Sequence, residues 1–215
     1  NEFDGFGVPR KQAAVRFDET VAFLRKAWTS SDRFDFDGRY WSFKDVVVEP
    51  KPVQQPHPPM WVGAASEASI RAAASQGLRL FLDQVATFDE IKERLAFYRD
   101  AQAKVGIEAH PHDVALTRPL LLSEGPGERR ALVQSQVETL GFLAGSTTRK
   151  SDNPFHSDHD SRAERVEKSA ILGSPDECIE RLQKLADMGI HQVLFTRTSP
   201  ENLRRFAEHV MSAFG

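Results

Sequence analysis

MWVGAASEASIRAAASQGLRLFLD, residues 60–83, decides the fold. Met60 to Ala64 reads as a short strand. A helix follows to Gln76, and Gly77 stops it. Leu78 to Asp83 is apolar and compact, so it reads as the next strand. Strand, helix and strand in so short a span make a parallel crossover unit. The turn inside it is nearly bare: Gly63, Ala64, Ala65 and Ser66 leave the backbone almost unclothed where the helix begins.

The alternation continues downstream. Thr87 and Glu90 form a capping box, and the helix they open carries Ile91, Leu95, Tyr98 and Ala101 on one face. Val114 to Leu122 is a strand, and Glu128 to Ala144 is a helix with Leu132, Val133, Val137 and Leu140 inward. Residues 145–170 are polar and turn-rich, which predicts a mobile or partly disordered loop. Ser174, Pro175 and Glu177 then start a helix with Ile179, Leu182 and Leu185 buried, ended by Gly189. His191 to Thr196 is a strand, and Ser199-Pro200 starts a last helix with Leu203, Phe206, Val210 and Phe214 inward.

Upstream the pattern differs. Phe17, Val21, Leu24 and Trp28 recur at helical spacing. Alternating aromatics around Asp37-Gly38 predict a hairpin with a type I′ turn. KPVQQPHPP, residues 51–59, is an extended connector, because each proline removes a backbone donor.

Strand and helix thus alternate four times, which predicts an α/β chain with parallel strands. Four strands do not close a barrel, and a bare four-stranded sheet invites edge pairing. A (β/α)8 barrel takes about 250 residues, whereas this chain has 215 and opens in mid-pattern on Asn1. The expectation is the C-terminal half of a TIM-type barrel, with residues 1–215 as part of one domain. The alternative is a complete open sheet.

Composition narrows the partners. A net charge of −3 gives no electrostatic case for nucleic acid. No apolar run is long enough to span a bilayer, and no secretory signal opens the chain. The single cysteine, Cys178, precludes an internal disulfide and fits a reducing, cytoplasmic setting.

The bare turn carries the chemistry. A helix N-terminus leaves backbone N–H groups unpaired and bears partial positive charge, so an anion suits it. Ser66 fits the N-cap and Ser69 lies at N3, while Gly63, Ala64 and Ala65 allow close approach. The plainer alternative is an ordinary serine cap before an alanine run. Arg118 shares a strand face with Val114, Leu116 and Leu120. It either reaches a bound cofactor or substrate at a barrel mouth or pairs with a carboxylate such as that of Asp83. His156 and His159, with Asp158 and Asp160, sit in a polar loop without the rigid scaffold that zinc needs, so no metal is expected. His110 and His112 precede a strand and are expected to face solvent, and His57 lies among prolines at a possible barrel rim. No side chain stands out as a catalytic acid or base.

Four stretches resemble the bacterial luciferase-like, flavin-dependent monooxygenases. They are NEFDGFGVPRKQAAVRFDETVAFLRKAW, FDGRYWSFKDVVVEPKPVQQPHPPMWVGAAS, GLRLF and GSPDECIERLQKLADMGIHQVLF. The resemblance implies a TIM-type barrel that binds FMN or, in related branches, F420. It implies that the turn at Gly63, Ala64 and Ala65 holds the flavin phosphate, with Ser66 and Ser69 offering hydroxyls, and that residues 146–165 close over the flavin. The implied activity is a monooxygenase in which reduced FMN from a separate flavin reductase and O2 oxygenate a small organic substrate. The same fold also admits F420-dependent hydride transfer, a non-catalytic flavin-binding subunit, and a homodimer.

Overall fold

The computed structural model describes residues 2–145, 159–196 and 198–215, which fall into two compact units, Asn1–Pro59 and Met60–Gly215. In the first unit a short helix α1 (Glu2–Gly5) and a 3-10 turn (Arg10–Gln12) precede α2 (Ala13–Thr29). β1 (Phe34–Asp37) and β2 (Ser42–Val46) pair antiparallel. The Phe23 ring of α2 packs on Phe34, Phe36 and Phe43, with centroids 4.6–6.2 Å apart.

The hairpin turn differs from the expected type I′. Asp37 pairs with Ser42, so the loop is Gly38–Trp41, and Gly38 has no positive φ. The cause lies outside the hairpin. The Glu19 carboxylate accepts the N–H groups of Arg39, Tyr40 and Trp41 at 2.9, 2.8 and 2.6 Å. One carboxylate satisfying three loop donors fixes a longer turn than the dipeptide alone favours.

The second unit alternates strands and helices. Its elements are β3 (Trp61–Gly63), α3 (Glu67–Ser75), β4 (Arg79–Leu82), α4 (Phe88–Lys104), β5 (Val114–Leu122) and α5 (Pro126–Gly145). Then come α6 (His159–Ser169), β6 (Ile171–Gly173), α7 (Pro175–Asp187), β7 (Gln192–Thr196) and α8 (Pro200–His209). β3, β4 and β5 lie side by side. The long β5 then pairs with β7 along residues 115–119 and with β6 along residues 120–122. Every pairing in this sheet is parallel.

Two features depart from expectation. The parallel strands number five among the described residues, not four, because Ile171–Gly173 forms a strand. At three residues it is too short to show a periodicity of its own. Within the expected 145–170 loop, residues 159–169 are helical. Ala163, Val166 and Ala170 recur at helical spacing amid charges, and Val166 and Ala170 are fully buried against α5. So narrow an apolar stripe is easily read as a polar loop. Residues 146–158, including His156 and Asp158, lie outside the described residues, and so do the side chains of His159 and Asp160.

The sheet has two unlike faces. Leu80, Leu82, Val114, Leu116, Leu120 and Leu122 turn towards the helices. They form the main core with Ile70 of α3, Ile91, Leu95 and Tyr98 of α4, and Leu185 of α7. The alternate positions form the other face, where Leu121 and Leu172 are buried in a second core with Val133, Val137 and Leu140 of α5 and Val166 of α6. Trp61 is 38% exposed and Leu194 48% exposed there, and Trp61 meets the half-buried Phe81 edge-to-face at 6.5 Å. In the last helical segment Val210 is buried, but Leu203 and Phe214, expected inward, are 45% and 44% exposed.

Candidate functional site

Because the strands are parallel, their C-terminal tips lie along one rim. The bare turn follows the tip of β3 on that rim. Gly63, Ala65, Ser66 and Ser69 are exposed, and Ala64 is buried beneath them. Gly63 is not required by the fold. Its φ lies outside the left-handed region, and a Cβ placed on it meets only the Phe81 carbonyl oxygen, at 3.9 Å.

Ser66 caps α3. Its Oγ accepts the Ser69 N–H at 3.3 Å, and the two hydroxyl oxygens are 2.8 Å apart. Ser69 Oγ donates to the Ser66 carbonyl at 2.9 Å. The Glu67 and Ala68 N–H groups stand in the first helical turn, where no intrahelical carbonyl reaches them. The sequence therefore brings together two exposed hydroxyls, free first-turn donors, the positive end of a helix and an uncrowded glycine. That set matches a phosphate, which supplies acceptor oxygens and negative charge. Turning either hydroxyl hydrogen outward breaks one exposed hydrogen bond.

Arg118 is not brought to this turn. It lies on the helix-facing side of β5, completely buried. Its Nη1 donates to the Asp83 carbonyl at 2.8 Å and its Nη2 to the Ala86 carbonyl at 2.6 Å. The partner in Asp83 is thus the backbone, not the carboxylate, which pairs instead with Arg94 at 2.7 Å. Burial pushes the Arg118 guanidinium down to about 10, so it remains charged at neutral pH.

Arg118 underlies a rim loop that sequence reasoning passed over. After β4, residues 83–86 turn tightly into α4. The Asp83 carboxylate accepts the Val85 and Ala86 N–H groups at 2.9 Å each. Burial alone would raise Asp83, but these N–H groups and Arg94 hold it below the usual aspartate value. Arg165 of α6 donates to the Val85 carbonyl at 3.2 Å and pairs with Glu90 at 2.9 Å. Gln84 stands in this loop, and its Oε1 accepts a hydrogen bond from Thr196 Oγ1, at the tip of β7, at 3.3 Å. The available signal was the polar pair Asp83-Gln84 directly after an apolar strand.

Each described histidine is placed within its own unit. His110 and His112 are exposed, with ring centroids 5.4 Å apart, and His57 lies 6.0 Å from Trp28 with Nδ1 2.7 Å from the Pro58 carbonyl. Among the described residues no group of three or more His, Cys, Asp or Glu side chains is placed to hold a metal ion. Cys178 is fully buried in α7, and burial pushes its thiol up to about 12. No helix among the described residues is long and apolar enough to cross a membrane.

Comparison with known proteins sets this geometry in context. The FMNH2-dependent dimethylsulfone monooxygenase of Pseudomonas putida is 24% identical over 98% of this chain and 61% of its own length. An F420-dependent glucose-6-phosphate dehydrogenase of Segniliparus rotundus is 25% identical over 90% of this chain and 58% of its own length. The chain therefore spans about three fifths of the length of these relatives. The crystal structure of monooxygenase RslO1 from Streptomyces bottropensis superposes with a TM-score of 0.80 at 25% identity, covering 100% of this chain and 65% of that one. These neighbours carry a TIM-barrel-type α/β fold, in keeping with the parallel strands and outer helices described above. The luciferase-like monooxygenase model matches residues 1–192, from α1 to the first residue of β7, and the chain belongs to that family.

Proposed function

We propose that this chain is the C-terminal part of a flavin-dependent monooxygenase whose cofactor phosphate sits on the turn Gly63–Ser69. The single observation that carries the reading is that exposed turn at the C-terminal rim of a parallel sheet, the end at which β/α-barrel enzymes place their sites. Bound there, reduced FMN would supply the reaction with O2 that oxygenates a small organic substrate. The protein's own contribution is to bind and orient. The Glu67 and Ala68 N–H groups, with the Ser66 and Ser69 hydroxyls, face the phosphate, and the missing side chain of Gly63 lets it descend. A separate reductase would deliver the reduced flavin, in the cytoplasm. The exposure of Trp61 and Leu194 on the face away from the main core supports a half-barrel, completed by further strands.

The test compares Ser66→Ala/Ser69→Ala with wild type in the intact protein, by fluorescence titration with FMN. Hydrogen bonds to a charged group contribute about 1.5–3 kcal/mol each, so a rise of at least tenfold in Kd is expected. An unchanged Kd rejects the turn as the phosphate seat. A second reading, F420-dependent hydride transfer, is favoured by the dehydrogenase relative. The absorption spectrum of the cofactor that copurifies with the protein decides between the two.

A further inference from the structure

The rim loop 83–86 is held from every side but one. Its Asp83 and Ala86 carbonyls receive Arg118, and its Val85 carbonyl receives Arg165. Its Val85 and Ala86 N–H groups reach the Asp83 carboxylate. What remains is the Gln84 side chain. Its Oε1 is engaged by Thr196, and its amide nitrogen has no protein partner among the described residues.

The direction of that amide follows from β7. Val193 and Phe195 pack into the main core, and the Phe195 ring lies 4.8 Å from Phe206 of α8. By alternation Leu194, 48% exposed, and Thr196 belong to the opposite face. Gln84, bonded to the Thr196 hydroxyl, stands on that face at the strand tips. β3 and β4 are neighbours, with Gly63 in register with Phe81, so the phosphate turn and Gln84 leave adjacent strands on one rim. A second observation marks the same rim. In the segment between β7 and α8, the buried Thr198 hydroxyl has no partner among the described residues.

We propose that Gln84, oriented by Thr196, donates its amide hydrogens to an acceptor edge of the flavin ring. The proposal rests on the phosphate seat at Gly63–Ser69. A neutral amide with two donor hydrogens suits the ring carbonyl oxygens and nitrogens of a flavin better than a charged group does. The ties on the loop fix the backbone of Gln84 before any ligand arrives, which is what orientation of a ring requires. Gln84 is then a contact of the ring, and Thr196 is a positioning residue.

The experiment measures Kd for FMN and for riboflavin, with the visible spectrum of each bound flavin and no substrate present. It uses the intact protein as wild type, Gln84→Leu, Thr196→Val and Ser66→Ala/Ser69→Ala. One neutral hydrogen bond corresponds to about a three- to tenfold change in Kd. Gln84→Leu is expected to weaken FMN and riboflavin equally, by that factor, and to shift the bound-flavin absorption band. Thr196→Val is expected to move both readouts the same way by a smaller amount. The serine variant is expected to weaken FMN alone, because riboflavin has no phosphate. If Gln84→Leu binds both flavins as wild type does, with an unaltered band, the ring contact is refuted while the phosphate seat stands. If the serine variant leaves FMN untouched, the phosphate seat fails by itself. If wild type binds neither flavin, both fall. Should Gln84→Leu not fold, Thr196→Val tests the ring contact in its place, and wild-type affinity with an unaltered band refutes it.

Discussion

Replacing Arg118 by methionine keeps most of the side-chain volume and removes the guanidinium. Two of its hydrogen bonds tie β5 to the rim loop, through the Asp83 and Ala86 carbonyls. Bonds to a charged donor contribute about 1.5–3 kcal/mol each, net of desolvation, which gives roughly 3–6 kcal/mol for the pair. Against this, the buried Arg118 Nε–H has no partner among the described residues. Methionine relieves that penalty, about 1–2 kcal/mol. The expected loss is therefore about 2–4 kcal/mol. For a chain of this size each kcal/mol lowers Tm by about 2–4 °C, so a fall of roughly 5–15 °C is expected. Urea denaturation followed by far-UV circular dichroism measures the free energy, and hydrogen exchange locates it. Protection should drop at the Val85 and Ala86 amides, whose acceptor Asp83 is held from below by Arg118, and should persist in the α7 core. A loss under 1 kcal/mol with exchange at 85–86 unchanged would refute the reasoning, because the arginine would then be filling space only.

Three further outcomes are expected. Gly63→Ala should leave the unfolding midpoint within about 0.5 kcal/mol of wild type, since its Cβ meets nothing nearer than 3.9 Å, yet weaken FMN binding in a titration. Cys178, with its thiol raised to about 12, should resist Ellman's reagent at pH 8 in the folded protein and react fully once denatured. Asp83 titrates below its ordinary value when folded, so its contribution is complete above about pH 4 and is lost as pH falls through the folded value. Urea midpoints of wild type and Asp83→Asn should accordingly differ at pH 7 and converge towards pH 2.

The alternation of elements was legible because its longer strands have their own apolar runs and α3, α4, α7 and α8 have their own serine or threonine caps. Thr87 with Glu90 and Ser174 with Glu177 form the capping boxes that their spacing implies. Elements whose stability is borrowed were not legible. β6 is three residues that exist as a strand because Leu120–Leu122 pair with them, and the longer hairpin turn exists because Glu19 receives its N–H groups. α6 was missed for the opposite reason, since its charges outnumber the few side chains it buries. At the site, the serine cap is a local pattern and could be read. Arg118 could be assigned to a face by alternation, but its partners are backbone carbonyls 32 and 35 residues away, and backbone atoms leave no mark in a sequence.

The alternation of side chains along the strands explains why the position of Gln84 matters. In β4, β5 and β7 one set of side chains is committed to the helix layer, where Leu80, Leu82, Leu116 and Phe195 pack. The other set faces away from that layer: Leu121 is buried in a second core, while Leu194 of β7 stays exposed. The exposed Leu194 lies two residues before Thr196, which holds the Gln84 side chain, so an apolar surface adjoins a glutamine with spare donors. Helix packing accounts for the buried face, but it gives no reason for Gly63 to lack a side chain or for Gln84 to carry an amide. Those two choices lie on adjacent strand tips. A ligand with a charged tail and a ring lined with acceptors would explain both, one by close approach to backbone and the other by hydrogen-bond donation.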